Sequence, residues 1–215
     1  MKTLEATAIP ITLAERIALG EDEVLTIPMS FEEYLEWAEK CEYNVEYLNG
    51  NLTSMGQATF IHEALVARLI MIFGRLLNFT DYTILGSNIK IFSPSFLPER
   101  HSAYNADASV VKGQPDFMLK SNGQESKTTI LNPVVIVEVQ SDSTLNDDFT
   151  HKLTRYKTIE SLQQIIFVSQ KEPYISTYIK EDVHKWLNLD FVNLTDQVPV
   201  LDSYFSMQDV YRGIL

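Results

Sequence analysis

Asp107 and Glu138 are the residues of this chain whose type and setting could do chemistry. Glu138 follows Val134-Val135-Ile136-Val137, a block of β-branched residues that reads as a central strand covered on both faces. Side chains alternate along a strand, so Glu138 and Gln140 share a face with Val134 and Ile136. An ionised carboxylate beside such residues is costly unless it is paired or holds a cation. A solvent-facing strand end is an equal reading of the spacing alone. A second strand is predicted over 106–111, with Asp107 and Ser109 on one face and Ala106, Ala108 and Val110 on the other. If the two strands are neighbours, Asp107 and Glu138 converge on one divalent cation, and their hard oxygen donors suit Mg²⁺ or Mn²⁺.

Several elements must position this pair. Ser30 and Glu33 form a capping box that opens a helix from 31 to about 40. Asn49-Gly50 separates two strands, 45–48 and 51–55, as a two-residue hairpin turn. From 59 to about 78, Ile61, Leu65, Leu69, Ile72, Phe73 and Leu76 recur at helical spacing and define the longest helix. His62 falls on its apolar face, where a hydrogen-bonded core histidine is a stronger reading than a ligand. Residues 82–85 and 88–92 read as another hairpin around Gly86-Ser87, Pro94 and Pro98 break regular structure after it, and a Gly-, Pro-, Asn- and Ser-rich connection leads from 112 to 131. Phe149, Leu153, Tyr156 and Ile159 mark a helix after Glu138, and strands are predicted over 164–168, 174–179 and 186–192. This order argues for an α/β sandwich with a mixed sheet. The 215 residues suit a single domain over 28–215, preceded by an N-terminal arm over 1–27.

Three segments follow one another in a telling order: Val45-Glu46-Tyr47-Leu48-Asn49-Gly50, Tyr104-Asn105-Ala106-Asp107, and Asn132-Pro133-Val134-Val135-Ile136-Val137-Glu138-Val139-Gln140-Ser141. Together they resemble the Uma family of restriction-endonuclease-like proteins, within the PD-(D/E)XK nuclease superfamily. The resemblance runs from Pro28 to the C-terminus and takes in Lys152, Tyr156 and Ser161-Leu162-Gln163. It implies a restriction-endonuclease-like α/β fold: a mixed β-sheet flanked by helices, with an N-terminal hairpin extension. It further implies Asp107 and Glu138 as ligands of Mg²⁺ or Mn²⁺, and DNA as substrate. Glu46 resembles the family's additional acidic residue, although by itself it is equally an ordinary strand carboxylate. The family's proline before the aspartate is Ala106 here, while Pro115-Asp116 fits the short motif literally but lacks the Tyr-x-x-Asp context and reads as a decoy. Gln140 stands where the superfamily's catalytic lysine would, and an amide cannot supply that charge. Lys152, on the helix sector of Phe149 and Tyr156, is the candidate replacement, set against a snorkelling lysine on a helix margin. Arg155 and Lys157 either contact phosphates or are simply solvated on a helix flank.

Seventeen basic against twenty-nine acidic residues leave a formal charge of -12, which removes long-range attraction to a phosphate backbone. DNA contact then rests on a local patch or on an unidentified protein partner. Cys41 is the only cysteine, which excludes an intramolecular disulfide and a cysteine-based metal site and points to the cytoplasm. The N-terminal stretch lacks the apolar block of a secretory signal, and the most apolar later segment, 64–73, is too short for a membrane span. The expected function is a metal-dependent endonuclease acting on DNA, with a cation-activated water as nucleophile. The alternative is a nuclease-like fold kept as a binding or scaffolding module, which the acidity and Gln140 both favour. Duplex cleavage takes two cuts, so a homodimer is expected.

Overall fold

The computed structural model describes residues 2–3, 10–20, 24–54, 56, 58–95, 97, 100–140 and 148–215. Met55, Pro98, Ser141 and the side chain of Phe149 lie outside the described residues, as does much of the stretch that reads as an N-terminal arm. In chain order the elements are β1 (Lys2–Thr3), α1 (Leu13–Ala18), β2 (Leu25–Pro28), α2 (Phe31–Ala38), β3 (Val45–Leu48), β4 (Asn51–Ser54), α3 (Phe60–Leu76), β5 (Tyr82–Gly86), β6 (Lys90–Ser93), β7 (Ser102–Asn105) and β8 (Ala108–Lys112). They continue with β9 (Phe117–Leu119), β10 (Glu125–Ile130), β11 (Pro133–Gln140), α4 (Asp148–Tyr156), β12 (Gln164–Ser169), β13 (Ile175–Asp182), β14 (Lys185–Phe191), β15 (Gln197–Val200), β16 (Ser203–Ser206) and α5 (Met207–Tyr211). The chain divides into two compact units. The first is Met1–Gln57, Ser87–Asn105 and Asp116–Leu131; the second is Ala58–Gly86, Ala106–Pro115 and Asn132–Leu215.

The first unit carries a sheet in the order β1-β2-β4-β3-β7-β6-β10-β9. Its nucleus is the expected hairpin, in which Leu48 pairs with Asn51 and Val45 with Ser54. Asn49 at φ 48° and Gly50 at φ 81° supply the two positive φ angles that let so short a turn follow the twist of the strands. Leu25–Pro28 joins this sheet by pairing Thr26 with Thr53, because Leu25 and Ile27 alternate into the core. In α2, Ser30 and Glu33 exchange the hydrogen bonds of a capping box, and Tyr34, Leu35 and Ala38 pack with Val45, Tyr47 and Leu52. The connection expected over 112–131 is instead an antiparallel pair, β9 with β10. Its turn is closed by the Gly123 amide on the Lys120 carbonyl, and Lys120 Nζ reaches Glu39 at 2.8 Å. The polar composition belongs to that turn, while Thr128, Thr129 and Ile130 carry the strand.

The second unit carries a six-stranded sheet, β14-β13-β12-β11-β8-β5, with β11 inside it as expected. β5 pairs with β8, Ile84 opposite Val110, whereas β6 pairs with β7 in the first unit, Ile91 opposite Tyr104. The hairpin expected around Gly86-Ser87 therefore does not form: the turn residues mark the passage from one unit to the other. On one face of β11, Val135, Val137 and Val139 pack with Leu65, Leu69 and Phe73 of α3. The same cluster takes in Val198, Phe205, Met207 and Val210, from C-terminal elements that the sequence pattern does not announce. Pro199 and the polar residues between them leave those runs too short for a clear period. The opposite face holds Ile136 and Glu138, with Tyr156, Ile159 and Leu162 buried after Glu138 in the chain. Among the described residues no helix is long and apolar enough to cross a membrane.

A Cβ added at Gly50 would meet nothing within 4 Å, so its cost is backbone strain alone. Gly50→Ala should destabilise the first unit by about 1 kcal/mol, read from the urea midpoint of Trp37 emission in a Trp186→Phe background. An unchanged midpoint would show that the turn does not hold this register.

Candidate active site

β8 begins at Ala108, two residues later than the strand expected from 106, because the chain arrives from β7 in the other sheet and bends at Asp107. Ser109 pairs with Ile136 and Ala108 with Val137, so the next step of the ladder sets position 107 against position 138. The backbone does not complete that step. Asp107 Oδ2 accepts from the Val139 amide at 2.6 Å, meeting the need of a buried amide for a partner. Asp107 Oδ1 lies 3.0 Å from His62 Nε2. His62 is held in the first turn of α3, whose N-cap Thr59 Oγ1 accepts from the His62 amide at 3.1 Å. Burial pulls the His62 imidazolium down, but the bond to Asp107 and the charges of Asp107 and Glu63 outweigh it and leave the pKa raised.

Glu138 is 8 % exposed and Lys152 7 %. Lys152 Nζ stands 3.4 Å from Glu138 Oε1, and the Tyr156 hydroxyl donates to the same oxygen. Lys152 and Tyr156 are one helical turn apart, so α4 brings both groups down on one face. From sequence, Tyr156 reads as a packing residue; its spacing of four from Lys152 is the signal that could have found its second role. Gln140 ends β11 opposite Ser169, half-buried, with only a neutral amide. Glu46 belongs to the first unit, where its Oε1 accepts from the Asn105 amide at 3.0 Å. Asp116, of the literal Pro-Asp dipeptide, also lies in the first unit, just ahead of β9.

Within the second unit these residues form two sets beside β11, Asp107 with His62 and Glu138 with Lys152 and Tyr156. Among the described residues no three His, Cys, Asp or Glu side chains are grouped so that they could hold a metal ion. Mg²⁺ is commonly held by one or two carboxylates, with water and substrate phosphate completing its shell; here both Asp107 oxygens and Glu138 Oε1 have protein partners, which a cation binding through those oxygens would displace.

Residues 31–207 match the family described as "Uma2: Putative restriction endonuclease". The chain belongs to the Uma2 family. This Uma2 chain is 28% identical over 194 residues to an uncharacterized protein of Synechocystis, covering 86% of this chain and 93% of the relative. A second uncharacterized Synechocystis protein is 25% identical over 155 residues, 72% of this chain and 82% of its own. A crystal structure from Anabaena variabilis, described as "a putative nuclease belonging to DUF820", superposes with a TM-score of 0.60 at 16% identity, over 84% of the Uma2 chain and 98% of the other. That likeness establishes the fold: a mixed α/β arrangement of sheets flanked by a few helices, shared with a nuclease-described protein.

The His62–Asp107 bond gives the Uma2 chain a pH-dependent stability. The folded pKa of His62 is raised, so its contribution is fully present below the ordinary histidine value of about 6.5 and is lost as pH rises through the higher folded value. The difference in melting temperature between wild type and His62→Gln should shrink over that rise. A difference that widened with pH would contradict the pairing.

Proposed function

We propose that this Uma2 protein is a divalent-cation-dependent endonuclease that hydrolyses phosphodiester bonds in DNA. The observation that carries the reading is the Lys152 ammonium beside the buried Glu138 carboxylate. With Gln140 on the strand, a nuclease of this family needs a cation from elsewhere, and α4 brings one to the glutamate itself. Asp107 and Glu138 would hold Mg²⁺ or Mn²⁺, which when bound supplies Lewis-acid stabilisation of charge on the phosphate and lowers the pKa of water. Lys152 stabilises the negative charge that grows on the phosphate oxygens. Tyr156 fixes the Glu138 carboxylate through its hydroxyl, and His62 fixes Asp107 through Nε2.

The formal charge of -12 and the amide of Gln140 support a second reading, a nuclease fold that binds without cutting. Nicking of supercoiled plasmid in Mg²⁺ separates the two. Asp107→Ala and Glu138→Ala should each abolish it, Lys152→Ala should lower the rate about 100-fold, and Tyr156→Phe about tenfold. Cleavage unchanged in both carboxylate variants would reject the site, and a wild type with neither cleavage nor Mg²⁺ binding by calorimetry would leave the binding module. Two cuts in a duplex call for two sites, so the active form is a homodimer; light scattering at the single-chain mass of 24.6 kDa would contradict that.

A further inference from the structure

Lys157 follows the last residue of α4, and its amine stands over two aromatic rings, 4.8 Å from the centre of Tyr178 and 5.8 Å from that of Trp186. Those rings come from adjacent strands. Tyr178 pairs with Asn188 and Lys180 with Trp186, so Trp186 lies one diagonal step from Tyr178 on a shared face. That face is also the face of Glu138. Ile136 pairs with Ile165 and Ile165 with Tyr178, while Glu138 pairs with Phe167; directly paired side chains point the same way. Phe167, beside Glu138, meets the Tyr178 ring edge-on at 6.1 Å. One sheet face therefore runs from Glu138 across three strand spacings, about 14 Å, to Trp186, buried at Phe167 and half-buried at Tyr178 and Trp186.

We infer that Lys157, Tyr178 and Trp186 form a platform on which a single-stranded segment of DNA lies as it leads to Glu138, an inference that rests on the nuclease reading above. Bases out of a duplex offer flat faces that stack on aromatic rings whatever their sequence, and an adjacent cation meets the phosphate. The carboxylate of this face, Asp190 opposite Ser176, accepts from the Tyr174 hydroxyl at 3.0 Å. Burial strips water from the Lys157 ammonium and lowers its pKa, so this cation has less hydration to lose to a phosphate. A chain with a charge of -12 has no long-range pull on a duplex backbone, and stacking is the attraction that does not need one.

The test is titration of the full chain with a short single-stranded oligodeoxythymidine, without divalent metal, reading Trp186 emission in a Trp37→Phe background that leaves one tryptophan. Emission should be quenched on binding. Lys157→Ala, and Trp186→Ala followed by fluorescence anisotropy of a labelled strand, should each weaken binding about five- to 150-fold, and Lys157→Arg should restore it to within about threefold of wild type, a small change on the same scale. No binding by the wild type, a loss under twofold in both alanine variants, or equal quenching by a duplex of the same sequence would overturn the platform. Its failure is distinct from that of the nuclease reading. Strand binding lost only with Trp186 and Lys157, in a wild type that does not cleave, keeps the platform and removes the nuclease; cleavage dependent on Glu138 with binding indifferent to Trp186 does the reverse.

Discussion

The Val139 amide lies past the last pairing of β11 with β8, and Asp107 meets it with a side chain. The reason is topological. The chain leaves β7 in one sheet at Asn105 and enters β8 in another at Ala108, so the two residues between cannot continue the ladder against β11. A buried amide left unpaired costs on the order of 1–3 kcal/mol, and a carboxylate is the strongest acceptor available to fill the gap. Glu46 does the same in the first unit for the amide of Asn105, two residues earlier. Both ends of the crossover are therefore tied by acidic side chains, and Asp107 serves the architecture before it serves any chemistry. Its loss removes an acceptor from the fold as well as a ligand from the proposed site, so binding and cleavage measured on the same folded variant carry more weight than cleavage alone.

Glu138 has the opposite problem, a charge in a place without water. Ile136 precedes it on its face and Phe167 lies beside it, and at 8 % exposure the carboxylate depends on Lys152 and Tyr156 for its charge and lone pairs. Asp107 is likewise balanced by His62, whose raised pKa favours the protonated ring. Two anions thus sit beside two groups able to offset them. A cation that took up Glu138 would release the Lys152 ammonium from that duty and free it for a phosphate. The lysine two residues along the strand, which this chain lacks at Gln140, would have been held by backbone geometry; Lys152 is held by its ion pair and can respond to it.

How much of this is legible in the residues alone depends on how local each signal is. The Asn49-Gly50 hairpin, the Ser30 capping box, α3 and the β-branched run of β11 are all legible, because the information lies within a few residues of the feature. Partner choice is not. Residues 82–92 have the composition of a hairpin, yet β5 and β6 find better partners in β8 and β7, and nothing in that segment names them. The hairpin of β9 and β10 hides behind a polar turn for the same reason. At the candidate site, the opposition of positions 107 and 138 comes from alternation and an assumed strand neighbour. The His62–Asp107 bond depends on where α3 lies over the sheet, which a helical period does not specify. Tyr156 is visible as an apolar-face residue, and only the depth of Glu138 turns its hydroxyl into a partner.

The acidity of the chain has a consequence for how any strand would be held. Several of its cations serve the protein itself: Lys120 bonds Glu39, Lys152 pairs with Glu138, Lys185 pairs with Glu181, and Arg68 donates to the carbonyl of Val210 near the end of α5. Each such pair lowers the number of phosphates the surface can neutralise, and with it the counterion release that gives nucleic-acid binding its steep dependence on salt. On the proposed reading, the remaining sources of affinity would be short-range: aromatic faces, a partly dehydrated amine, and a cation held between carboxylates and phosphate. Short-range attraction falls off within a few ångströms, so it acts only on a strand already bent or opened enough to reach the sheet face beside α4. On the proposed reading, such a protein would discriminate by the exposure of a strand's bases before it could discriminate by their sequence.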